Sequence, residues 1–167
     1  AFHKSRLEAY RDDMVGLVSE MLDGWRPGQA CDLSAEMTRL TLRVATKTLF
    51  GADAGESGVQ IAHWMQDWLL TMFSLGILLP WDLPGLPYHR WLNRTHQIDA
   101  AMSELVRRKR AQDNGGADML SMLLAARDED GSQLTDDEII GHAGVIFAAG
   151  HETSANALTW TLLLLSQ

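Results

Sequence analysis

From Ile139 to Leu164 the chain places Ile139, Ala143, Ile146, Gly150, Thr153, Ala157, Trp160 and Leu164 at alternating steps of four and three, which is one continuous face of a helix. The helix has a definite start. Asp130-Gly131 is a turn signal, and Thr135-Asp136-Asp137-Glu138 matches a capping box with acids in the first turn, where the helix dipole favours them. From there the pattern continues to the last residue without a glycine, proline or basic turn to end it. Halfway along stands Ala149-Gly150-His151-Glu152-Thr153-Ser154, a glycine, an acid and hydroxyls where a core helix wants aliphatics. Glycine costs about 1 kcal/mol relative to alanine in a helix interior, and a carboxylate there costs more unless it is exposed or paired. The spacing makes this a notch in an apolar ridge with one hydroxyl at its lip. His151 lies about 200° from Thr153 and points the other way. Glu152 is intermediate, facing either solvent or a polar channel beside the notch.

The rest of the chain predicts helix after helix. Apolar positions recur at helical spacing from Leu7 to Trp25, stopping at Pro27-Gly28. Further helices are expected from Asp32 to Phe50, closed by Gly51, from Val59 to Leu79, from His89 to Arg110, and over Asp118 to Ala126. Three of the four prolines fall in one short segment, Pro80 to Pro87. No strand-like alternation of useful length, internal repeat or low-complexity tract is present. The expected fold class is all-α, with residues 1–167 forming one partial domain.

A net charge of −8 argues against nucleic acid and against broad adhesion to anionic membranes as partners. A single cysteine, Cys31, excludes an internal disulfide and suits a reducing compartment. No signal segment is visible, and the longest charge-free apolar runs, such as Leu158 to Leu165, fall short of the ~18 residues that span a bilayer. The expected location is the cytoplasm, with an anchor on a preceding segment left open.

His151-Glu152 first suggests the His-Glu-x-x-His zinc motif, but the second ligand position is Ala155. A di-iron bundle needs Glu-x-x-His pairs, and the residues three before the histidines are Gln60, Leu86, Asn93, Ile139 and Ala148. Phosphate-cradling glycine loops and a Gly-x-Ser-x-Gly elbow are absent as well. No residue is assigned to a metal.

The order of helices, together with Ala149-Gly150-x-Glu152-Thr153-Ser154, resembles the cytochrome P-450 haem-thiolate monooxygenases of bacterial type. Their distal I helix carries (Ala/Gly)-Gly-x-(Asp/Glu)-Thr-(Thr/Ser). Phe2-His3-Lys4 is similar to the end of that family's C helix, and Leu49-Phe50-Gly51 to the close of its E helix. Arg107-Arg108 is similar to the end of its G helix, and Asp118 to Leu124, followed by Asp128-x-Asp130-Gly131, to its H-helix segment. The hexapeptide alone is moderately specific; in these surroundings, over nearly the whole chain, it is strong.

The resemblance implies a partial P-450 fold, from the end of helix C into helix I, with haem b and O2 as cofactors. Ala149, Gly150 and Thr153 would face the cofactor, Gly150 leaving room for dioxygen. Thr153 and Glu152 would be the catalytic pair, Thr153 donating a hydrogen bond and Glu152 relaying protons. A local opening of the helix at this point is expected. Met72, Phe73, Ile146, Phe147 and Ala149 would line the pocket of a hydrophobic substrate, under a roof running from Met65 to Leu79. The implied reaction is hydroxylation or epoxidation, with electrons from NAD(P)H passed by a ferredoxin or a flavoprotein reductase, separate or fused. The His3-Lys4-Arg6 end is the expected contact for that redox partner.

The family's Phe-x-x-Gly-x-x-x-Cys-x-Gly ligand loop and the K helix that carries its Glu-x-x-Arg are not in this sequence, and Cys31 has none of that context. The expectation is therefore an internal fragment, with the iron's thiolate ligand outside the chain, inactive by itself. Two alternatives stay open: a non-catalytic helical ligand-binding or interaction module, and a family member that has lost activity.

Overall fold

The computed structural model describes residues 4–51, 54–112, 116–128 and 130–167. Six α-helices follow one another, and no strand occurs among the described residues. They are α1 (Lys4–Asp23), α2 (Leu33–Phe50), α3 (Gly55–Met72), α4 (Pro87–Gln112), α5 (Met119–Ala125) and α6 (Asp136–Leu165). The all-α expectation is met.

Local chemistry sets most of the boundaries. The Asp32 carboxylate accepts from the Ala35 amide at 3.0 Å and starts α2. Gly51, at φ 80°, ends that helix, its N–H donating to the Lys47 carbonyl. Asp118 caps α5 through the Ser121 amide at 2.9 Å. Thr135 and Glu138 complete the capping box of α6, with the Thr135 amide donating to the Glu138 carboxylate at 2.8 Å. Pro87 opens α4, where a missing N–H leaves no bond unmade.

The third helix differs from expectation. It runs from Gly55 to Met72 rather than from Val59 to Leu79, and Leu75–Leu78 form a separate 3₁₀ turn. Ser74 is extended, and Gly76 folds back so closely on α4 that a side-chain carbon there would sit 2.6 Å from Pro87 Cγ. Leu75 and Leu78 are 84% and 74% exposed. An apolar run without a packing partner has nothing to hold it in helical register.

α6 packs chiefly on α2 and also touches α3, α4 and α5. The main core joins Leu49 and Phe50 of α2, Ile61 and Met65 of α3, Met102 and Val106 of α4, and Ile139, Ala143 and Phe147 of α6. A second, smaller core sets Ala155 against Leu17 of α1 and Met37 and Leu40 of α2. α6 is thus held along its length, with one side left open.

Candidate functional site

The packed side of α6 is not the face that its sequence suggests. The buried residues are Ile139, Ala143, Phe147, His151 and Ala155, a strict i, i+4 row. Such a row turns about 40° per step around the helix, because four residues span about 400°. It therefore winds away from the expected alternation of four and three. Gly150, Thr153, Ala157, Trp160 and Leu164 stand exposed instead.

The notch is consequently an open shelf. A side-chain carbon at Gly150 would meet no atom within 4 Å. Ala149 and Thr153 are exposed beside it, and Glu152 is half-buried. The Thr153 hydroxyl donates to the Ala149 carbonyl. α6 is continuous from Asp136 to Leu165, so the expected opening of the helix is absent. The reason is general: Thr46, Thr71, Thr159 and Thr161 make the same bond to the carbonyl four residues back, each within a regular helix.

His151 lies opposite the shelf, as the helical angle requires. It is 1% exposed, stacked on Phe147 with ring centroids 5.2 Å apart, and neither ring nitrogen has a hydrogen-bond partner. Burial pushes its pKa below 6.5, partly offset by the Glu152 carboxylate. A buried neutral imidazole without partners costs about 1–3 kcal/mol. His151→Leu is therefore expected to raise stability by about 1 kcal/mol at pH 7.5. Below 6.5 the unfolded chain takes up a proton that the folded one does not. Wild-type stability then falls with pH through the lowered folded pKa, while the variant loses this contribution. Urea unfolding at pH 7.5 and pH 5 checks both points.

Beside the shelf, α3, α4 and α6 enclose an apolar groove of about 450 Å³. Met65, Trp68, Leu69 and Met72 form one wall, and Thr95, Ile98, Asp99 and Met102 the other. The floor is Ile140, Gly141, Gly144, Val145 and Ala148 of α6. Trp68 is fixed in its wall by donating to Thr95 Oγ1 at 2.8 Å and stacking on Trp91. Taking ~100° per residue, Gly141, Val145, Ala148 and Glu152 follow one stripe of α6. The stripe leads from the groove to Glu152, with Ala149 and Thr153 beside it and Gly150 about 160° away around the helix.

Of the expected substrate-facing residues, Met72 lines this groove and Ala149 is on the shelf. Ile146 packs half-buried against the core. Phe147 does not face either feature: it is 1% exposed, inside the core. Phe73 is 80% exposed past the end of α3. The expected roof therefore divides, with Met65 and Leu69 buried and Phe73, Leu75, Leu78 and Leu79 exposed. Gly141 and Gly144 were missed by sequence reasoning, although two glycines inside one helix were a readable signal.

Cys31 is exposed in the connection from α1 to α2 and lines a hollow formed by residues of those elements. Among the described residues no group of His, Cys, Asp and Glu is placed to hold a metal ion. Phe2, His3 and the side chains of Lys4 and Arg6, expected at a redox-partner contact, lie outside the described residues.

Residues 1–167 match the family model for Cytochrome P450. The chain is 32% identical over 170 residues to a pentalenene oxygenase of Streptomyces avermitilis, covering 100% of this chain and 38% of that protein. It is 32% identical over 173 residues to a cyclooctat-9-en-7-ol 5-monooxygenase of Streptomyces melanosporofaciens, covering 99% and 37%. Among solved structures, retinoic acid bound cyanobacterial CYP120A1 matches with a TM-score of 0.81 at 27% identity, over 99% of this chain and 37% of that one. The chain thus spans somewhat over a third of the length of these relatives.

Proposed function

The chain belongs to the cytochrome P450 family, and from that premise we propose that it forms the oxygen-side part of a haem-dependent monooxygenase acting on hydrophobic substrates. We read residues 1–167 as part of a single P450 domain. The observation that carries the proposal is the open side of α6 at Ala149, Gly150 and Thr153, next along the helix from an apolar groove. The residues present suit a flat cofactor: small side chains and unobstructed space at Gly150. Ala149, Gly150 and Thr153 would pack against it, with the thiolate ligand outside this chain. When bound, haem would supply the oxygen-activating chemistry.

The chain's own residues then divide the remaining tasks. The Thr153 hydroxyl, exposed and now donating to the Ala149 carbonyl, can rotate to donate outward from the shelf. It is too weak an acid to supply protons itself, so it holds the hydrogen bond and Glu152 brings the proton. Glu152, half-buried at the end of the groove stripe, can take a proton at its carboxylate from the solvent side and pass it to the shelf. The groove walls exclude water and hold an apolar body. Electrons would come from NAD(P)H through a ferredoxin or flavoprotein reductase, in the cytoplasm. No helix among the described residues is long and apolar enough to cross a membrane.

The names of the two Streptomyces relatives make pentalenene and cyclooctat-9-en-7-ol the first substrates to try. The test is the reduced carbon monoxide spectrum of the full-length protein, followed by turnover with pentalenene and a ferredoxin system. A thiolate-type band and an oxygenated product support the reading. Absence of the band contradicts it, and a band without product from any hydrophobic substrate points to an inactive family member.

A further inference from the structure

We propose that a hollow at the junction of α3 and α4, separate from the groove, binds an organic carboxylate, with Arg90 and Arg94 as its charge partners. The site goes beyond the monooxygenase reading and does not depend on it. The hollow measures about 520 Å³ and lies between the end of α3 and the start of α4. Spaces that hold small organic ligands run from about 300 to 1,000 Å³. Pro87, Arg90, Trp91 and Arg94 line it from one stripe of α4, at helical spacing. Asp67, Trp68 and Thr71 line it from the facing stripe of α3, and Ser74 follows just past the end of that helix. Trp91 stacks between Trp68 and Tyr88, with ring centroids 5.3 and 6.2 Å apart, which fixes a flat aromatic wall. Leu70 and Pro87 add aliphatic surface.

The charges in this lining are not balanced. Two arginines at i and i+4 repel one another on a helix face. The Arg90 guanidinium has neither a hydrogen bond nor an ion pair among the described residues. Elsewhere the chain pairs its arginines closely: Arg39, Arg107 and Arg110 each hold a carboxylate oxygen at 2.6, 2.7 and 2.8 Å. Arg94 is held in position by the Trp64 ring, 5.5 Å from its centroid, and by Gln97 Oε1 at 3.1 Å. The carboxylate beside it, Asp67, stands 3.9 Å away, at the limit of an ion pair. Two cations against one carboxylate leave a single positive charge, which a monocarboxylate balances. The Ser74 hydroxyl makes no side-chain bond, and Trp91 Nε1–H is buried without an acceptor. The lining is thus rich in donors, short of acceptors, and flanked by apolar walls. That selects acceptor oxygens carried on an apolar body, and the planar fork of an arginine matches a carboxylate in two parallel hydrogen bonds. The neighbouring groove does not compete for such a ligand, because the charged residue in its lining is Asp99.

The test titrates the full-length protein by calorimetry with 2-naphthoate, with its neutral counterpart 2-naphthamide, and with inorganic phosphate. Wild type is compared with Arg90→Gln, Arg94→Lys and Asp67→Asn. Arg90 is exposed, so Arg90→Gln should leave the fold intact, and the melting temperature checks this. Arg90→Gln is expected to weaken 2-naphthoate about tenfold while any binding of 2-naphthamide stays within about twofold. Arg94→Lys keeps the charge but loses the fork, and is expected to weaken 2-naphthoate severalfold. Asp67→Asn removes the competing carboxylate and is expected to tighten 2-naphthoate about threefold, an effect that a merely structural role would not produce. Equal 2-naphthoate affinity in wild type and Arg90→Gln overturns the proposal, as does equal binding of the acid and the amide to wild type. Absence of 2-naphthoate binding overturns it too, and phosphate bound as tightly as 2-naphthoate overturns the assignment to an organic acid. None of these outcomes involves the thiolate-type band, whose absence would overturn the monooxygenase reading alone.

Discussion

Thr153→Ala in the full-length protein is expected to lower the product formed per pair of electrons consumed by about tenfold, with the balance released as hydrogen peroxide. General acid–base groups contribute about 10²–10⁴-fold, and a hydroxyl that holds a hydrogen bond without supplying the proton belongs below that range. Thr153→Ser should restore most of the coupling, because the hydroxyl is kept. Glu152→Gln, which removes the group that carries the proton, should slow turnover about 10²-fold instead of mainly raising peroxide. Thr153 is exposed and its hydroxyl bonds back to its own helix, so its loss should change stability by no more than about 0.5 kcal/mol. The measurement is the ratio of product to NAD(P)H consumed, with peroxide assayed in parallel. An unchanged ratio for Thr153→Ala would remove the hydroxyl from the chemistry and leave it as one more helical threonine.

Lys109→Ala has the largest expected effect on stability, a loss of about 3–5 kcal/mol. Lys109 Nζ lies 2.9 Å from Asp118 Oδ2, and the two side chains are only 5% and 4% exposed. Ser121 Oγ also donates to Asp118 Oδ2 at 2.8 Å, while Asp118 Oδ1 accepts the Ser121 amide and so starts α5. Removing the ammonium leaves a buried carboxylate without its charge partner, at the point where α4 meets α5. Lys109→Met paired with Asp118→Asn should recover part of the loss, since the amide can still cap the helix and no net charge stays buried. Thermal unfolding of the single and double variants measures the coupling between the two side chains. A loss under about 1 kcal/mol for Lys109→Ala would show the pair to be no stronger than an exposed one.

How much could be read from the sequence follows the range of each interaction. Caps act over three or four residues, so the Thr135–Glu138 box was legible, and the starts expected at Asp32 and Asp118 fall on the N-caps of the observed helices. The opposition of His151 and Thr153 was legible too, being a property of helical angle alone. Which of the two sides is packed was not legible. That depends on how α6 crosses α2, and the i, i+4 row that fills the contact winds away from the face that periodicity favours. The same uncertainty placed Phe147 with the substrate, when its ring is packed against His151 inside the core. After Met72, apolar content was mistaken for helical packing, because composition cannot show that Leu75 and Leu78 have nothing to pack against. The groove was half legible. Its α3 wall lay in the expected roof, but the glycine floor acquires meaning only once α3 and α4 are seen above it.

On this reading the side of α6 that bears Ala149 and Gly150 faces the side of the haem where oxygen binds. Carbon monoxide rebinding after flash photolysis of the reduced full-length protein tests it most directly, with Ala149→Leu and Gly150→Leu compared with wild type. A side-chain carbon at Gly150 meets no described atom within 4 Å, and variants that keep the thiolate-type band are the ones compared. Rebinding is expected to slow by about tenfold or more, because the added side chain occupies the ligand's place. Rebinding at the wild-type rate in both variants would show that the shelf faces elsewhere, and the assignment of oxygen chemistry to Thr153 and Glu152 would fail with it.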